Sequence, residues 1–111
     1  MEFTVMHLDD PVAIVRISDD KHKVEIDKLV PDSHRQPFGG DKLDLERVYN
    51  FLKGRCYEDG RGDLREILEQ AGLDNNNPWE WVKISHGVTY EDLLWVRFPG
   101  ETLTWEDVKV R

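Results

Sequence analysis

Apolar residues recur with a helical period in two neighbouring stretches between Asp41 and Leu73. Leu45, Val48, Tyr49 and Leu52 fall on one stripe, and Leu64, Ile67, Leu68 and Ala71 on a second. Asp44 stands where an N-cap belongs and Gly54 where that helix can end. Asp63, with Glu66 three residues on, has the form of a capping box, and Gly72 suits a left-handed exit. The spacing predicts two helices packed as a pair, joined by a link in which Gly54-Arg55-Cys56 and Gly60-Arg61-Gly62 place two arginines around a glycine-punctuated turn. On this reading the pair carries stability, Leu68 lies in the core, and its truncation to alanine costs about 2 to 5 kcal/mol.

The rest of the chain alternates instead. Residues 2 to 7 (EFTVMH) and 12 to 18 (VAIVRIS) are short and rich in β-branched or aromatic side chains, and the Leu8-Asp9-Asp10-Pro11 turn between them predicts a hairpin. After a second turn at Ser18-Asp19-Asp20-Lys21, Val24 and Ile26 alternate with Lys23, Glu25 and Asp27, the pattern of a half-exposed antiparallel strand that completes a meander. PDSHRQPFGG, residues 31 to 40, reads as an ordered loop anchored by Phe38. Asn77 and Pro78 open a short third helix that His86-Gly87 ends. Val88 to Asp92 forms a capped turn, residues 93 to 98 (LLWVRF) make a further strand, and Thr104 caps a last turn. The expectation is one α+β domain over residues 1–111, an antiparallel sheet with two or three helices on one face.

Composition narrows the function classes. The 111 residues carry 23 acidic against 15 basic side chains, a formal charge of -8, which disfavours direct contact with nucleic-acid backbones or anionic membrane. No apolar run approaches the roughly 20 residues of a bilayer span, and the first residues lack the basic and apolar regions of a secretory signal, so a cytoplasmic location is expected. A lone cysteine, Cys56, excludes an internal disulfide or a multi-cysteine metal site and reads as a half-buried structural thiol.

Candidate chemistry is thin. Gly60-Arg61-Gly62 precedes a helix but lacks the lysine and hydroxyl of a phosphate-binding loop. His7, His22, His34 and His86 are scattered, and paired carboxylates such as Asp19-Asp20 and Glu91-Asp92 fall in turns where solvation accounts for them. No catalytic residue, cofactor or metal is expected. The tryptophans carry more information: all four follow residue 78, and Trp79, Trp81 and Trp105 cannot all face one interior. Tryptophan and arginine dominate interface energetics, so Trp79, Trp81, Trp105, Arg55 and Arg61 are the candidate partner-binding residues, with ion-pairing inside the domain as the competing role for both arginines.

GRCYEDGRGDLREILEQAGL followed by HGVTYEDLLWVRFPGETLTWEDVKV resembles the N-terminal region of bacterial HipA-like kinase proteins, and FTVMHLDDPVAIVRIS is similar to their first hairpin. In that family a GR, small loop, R element precedes a helix, and a SLTDQYWI segment precedes a TWEDV turn. Gly54, Arg55 and Arg61 match the first element, Asp92 and Trp95 the second, and Thr104, Trp105, Glu106 and Asp107 the third. Tyr90 and Leu94 depart from it, standing where leucine and tyrosine are usual. The family's kinase region, with the lysine, aspartates and two-lobed cleft that phosphoryl transfer needs, has no counterpart in these residues. The resemblance therefore implies a stand-alone subdomain, a non-catalytic, antitoxin-like protein that binds and restrains a separately encoded HipA-like kinase. The charge leaves open an alternative, an acidic phage or mobile-element inhibitor of anti-CRISPR type that occupies a nucleic-acid groove on a defence nuclease. A small enzyme is a third class.

Overall fold

A computed structural model describes residues 1–33, 35–41, 43–56, 62–89 and 91–109. Strands β1 (Glu2–His7), β2 (Asp10–Ile17), β3 (Val24–Lys28) and β4 (Leu94–Arg97) form one antiparallel sheet in the order β3-β2-β1-β4. The meander is as the alternation predicts, and the late apolar run joins it beside β1. The α+β class holds.

Side chains of paired residues share a face, so the register sorts them. Phe3 with Val15, Val5 with Ala13 and Val96, and Ile17 with Val24 turn to one side, where helices α1 (Leu45–Lys53) and α3 (Pro78–Ser85) cover them. Val48, Leu52 and Val82 from those helices and Phe38 from the preceding loop complete this core. Phe38 is fully buried and meets Phe51 edge-on with 5.2 Å between ring centroids. The opposite side is split. Met6 and Trp95 form a small second core under α4 (Trp105–Val108), with Val108 buried above them. Further along that side Arg16 lies between Glu2 (3.0 Å) and Asp27 (2.7 Å) in solvent.

Two features differ from the sequence reading, the first hairpin turn and the helix pair. The first is tighter than expected: β2 begins at Asp10, so Pro11 is inside the strand, opposite Met6 at a register irregularity between Val5 and Met6. Proline is accommodated because β3 begins to pair only from Ala13 onward, so no neighbour there asks for its missing N–H. Leu8 takes the left-handed conformation (φ 53°), and its carbonyl accepts the Trp95 indole N–H at 2.7 Å, tying the hairpin tip to β4.

The second difference concerns the helices. Asp44 caps α1 as predicted, accepting the Arg47 N–H at 3.0 Å, and Gly72 leaves α2 (Leu64–Ala71) in a left-handed conformation (φ 75°). The Asp63 side chain makes no cap hydrogen bond, however, and α2 has no buried residue. The partner of α1 is α3, not α2. The expected helix pair is therefore corrected: Leu68 is only half-buried, and the link residues Tyr57 to Arg61 lie outside the described part. Among the described residues no helix is long and apolar enough to cross a membrane.

Candidate interaction surface

The start of α3 borders a concavity. Asn77 accepts the Trp79 N–H at 2.9 Å and Pro78 occupies the first helical position, so the helix begins with a fixed orientation and Trp79 projects from its first turn. Trp79 is half-buried, its ring 6.1 Å from that of Tyr49 on α1. On its other side the Lys21 ammonium sits 4.9 Å from the ring centroid, close enough for a cation–π contact. Lys21 reaches that place because the β2–β3 turn puts it at φ 60°, with its N–H donating to the Ser18 carbonyl at 2.9 Å.

Together these groups wall a groove of about 640 Å³ with Met1, Ile17 and Phe98 as its apolar floor and Glu80, Lys83 and Asp19 at its rim. The floor is fixed at one end by the Met1 ammonium, which donates to the Ile17 carbonyl at 2.7 Å. α3 also presents Ile84, 41% exposed, one turn beyond Glu80. An aromatic half-sunk in an apolar floor and ringed by both signs of charge has the form of a docking groove for a protein segment.

The other candidate residues are placed differently. Trp81 is buried at 6% exposure and its indole donates to Asn76 Oδ1 at 2.6 Å, so it is a core residue and not an interface anchor. Trp105 is half-buried on the far side of the sheet against the Met6–Trp95 cluster, with its backbone N–H on Asp9 Oδ1 at 2.8 Å. It shares no surface with Trp79. Arg61 lies outside the described residues.

Arg55 is turned inward, in the bridging role within the domain. Its side chain is 6% exposed and lies against the Phe51 ring at 4.7 Å. It donates to the carbonyls of Gly87 (2.6 Å) and Leu94 (3.0 Å), to Thr89 Oγ1 (3.3 Å) and to Asp92 Oδ1 (2.5 Å). Gly87 makes room for it: at φ 62° an added Cβ would stand 3.2 Å from Arg55 Cδ. Burial pushes the Asp92 carboxyl up, but hydrogen bonds from Arg55, Thr89 and the Leu94 N–H outweigh it and hold the group below the usual aspartate value. Every donor group of Arg55 that faces a partner is spent inside the domain, which is the competing role the sequence left open. The same is true of the last motif, where Asp107 accepts both the N–H (2.8 Å) and the hydroxyl of Thr104 to close the α4 turn. Among the described motif residues, Arg55, Asp92, Thr104 and Asp107 thus fasten the fold.

Reactive chemistry is sparse. Burial pushes the Cys56 thiol up to about 11 against the opposing pull of Arg55, so it stays protonated and weakly nucleophilic near neutral pH. Its Sγ lies 3.3 Å from the Leu52 carbonyl. Among the described residues no group of three or more histidine, cysteine, aspartate or glutamate side chains is arranged to hold a metal ion. Comparison with family models, with curated proteins and with solved structures finds no match to this chain.

The sequence singled out Trp79 but missed the residues that make it a site. Met1, Ile17 and Lys21 belong to strand ends and a turn far away in the chain, and periodicity says nothing about which strand end meets which helix start. Only the Ser18-Asp19-Asp20-Lys21 turn carried a signal, as a place where the chain reverses.

Proposed function

We propose that this chain is a small non-catalytic protein-binding module that docks a partner segment in the Trp79 groove. In its more specific form it is an antitoxin-like subunit that restrains a HipA-like kinase. The observation that supports docking is the half-exposed Trp79 on an apolar floor beneath Lys21. Support for the kinase as partner comes from the sequence resemblance alone.

The net charge of -8 favours a second reading, the acidic inhibitor that fills a nucleic-acid groove. The two differ in physics. An anchored interface depends on a few desolvated side chains, whereas a mimic depends on exposed charges that are screened beyond about 8 Å at physiological ionic strength. The test is capture of a HipA-like kinase encoded in the same genome, followed by titration at two salt concentrations. Trp79→Ala is expected to weaken binding by about 2 kcal/mol or more, with little effect of salt and little effect of Trp105→Ala. Steep salt dependence with indifference to Trp79→Ala would replace the anchored reading by the mimic.

A further inference from the structure

At the opposite end of the β1–β2 hairpin from Met1 lies a second concavity, of about 660 Å³, walled by Pro11, Val12, Val30 and Pro31 and carrying, among the described residues, the polar groups of His7, Asp10 and Arg35. We infer that it binds a small organic carboxylate with an apolar body, the carboxylate on the Arg35 guanidinium and the apolar part against the proline and valine walls. The site is separate from the Trp79 groove and goes beyond the docking function.

Arg35 is the centre of the argument. Among the described residues its guanidinium has one partner, His7 Nε2 at 2.5 Å, and no carboxylate pairs with it. The contrast with the other arginines is clear. Arg16 and Arg55 hold carboxylates, while Arg47 and Arg97 donate to backbone carbonyls. In a chain with 23 acidic residues to 15 basic ones, a guanidinium that pairs with none of the described carboxylates and lines an apolar cavity is arranged for something from outside.

The arrangement is held at some cost. Arg35 has φ 62°, a left-handed conformation that an arginine adopts only when its surroundings require it. The next residue supplies that requirement: the Gln36 amide donates to both the Val12 carbonyl (2.9 Å) and the Val30 carbonyl (3.2 Å), clamping the loop across the end of β2.

His7 positions the fork without neutralising it. Arginine has no acceptor, so Nε2 of His7 takes the N–H and the neutral ring carries its proton on Nδ1. Burial, and then the Arg35 charge, keep the His7 pKa below 6.5 against the pull of Asp10 and Asp92, so the ring adds no charge of its own near neutral pH. One N–H of the fork is thereby used and the others remain for a bidentate carboxylate. Asp10 on the same wall repels a dianion, which favours a carboxylate over a phosphate.

The test is titration of the ¹⁵N-labelled chain with N-acetyl-leucine, with its uncharged amide, and with inorganic phosphate, followed by NMR. Saturable shifts at His7, Val12 and Arg35 are expected with the carboxylate, and binding of the amide should be at least about tenfold weaker. Arg35→Gln should weaken the carboxylate by about ten- to a hundredfold. If that variant loses its dispersed spectrum, Arg35→Lys, which keeps the charge and loses the fork, carries the test and should also bind more weakly. Equal response to acid and amide, tighter binding of phosphate, or wild-type affinity in the folded arginine variant would overturn the assignment.

Discussion

Helices α1 and α2 carry nearly the same pattern and meet different fates. Each has an aspartate before its first turn, four apolar residues on one stripe and a glycine after its end. Yet α1 buries Val48 and Leu52 completely and is capped by Asp44, while α2 buries nothing and Asp63 does not cap it. The difference lies in what each stripe finds. α1 follows Phe38, which delivers it onto the sheet beside α3, whereas α2 has no fully buried residue. Amphipathicity makes a helix worth forming, but it does not choose the surface that covers it.

The sharpest way to break the comparison is truncation of the matched leucines. Leu52→Ala should cost about 2 to 5 kcal/mol and Leu68→Ala less than about 1 kcal/mol, measured by chemical denaturation. Equal losses would show that α2 shares the core. Next in size, Asp44→Ala should cost about 1 kcal/mol through loss of the cap. A loss below about 0.3 kcal/mol would show that the Asp44 side chain does not hold the helix start.

The smallest effect is one of pH and belongs to the sheet that α1 covers. His7 has its pKa lowered in the folded state, so the unfolded chain binds the proton more readily. Its contribution is therefore whole above about pH 6.5 and declines as pH falls through the lower folded value. Asp92, held below its ordinary value of 3.8, adds a loss at lower pH still. Stability should decrease on acidification from pH 7 to 5, and His7→Gln should flatten that decrease while leaving the more acidic limb. An unchanged profile in the variant would mean that His7 is not the group responsible.

Local rules were legible where their partners were local. The β1–β2–β3 meander follows from alternation and short turns, and the Asp44 and Asn77 caps and the Gly72 exit follow from residues within a few positions of one another. What was not legible depends on distant partners. Arg55 looks like an interface residue in composition, but it is enclosed by Gly87, Thr89, Asp92 and Leu94, more than thirty positions on. The three tryptophans imply only that at least one is partly exposed; that Trp79 borders a groove depends on Met1 and Lys21 meeting α3, and the His7–Arg35 cavity on a loop crossing the end of a strand. Neither encounter leaves a trace in spacing.

The place of β1 in the sheet bears on how the chain reaches its fold. One neighbour, β2, is joined to it by a turn at Leu8-Asp9, and the other, β4, arrives only after most of the chain, with the Trp95 indole bonding a carbonyl 87 positions earlier. Hairpins close in about 1 to 10 μs, whereas long-range pairing waits on a much larger loss of chain entropy. The meander should therefore form early and β4 dock late. During synthesis β1 keeps an unpaired edge until residues 94 to 97 have emerged, and that interval is when two nascent copies are most exposed to pairing with each other.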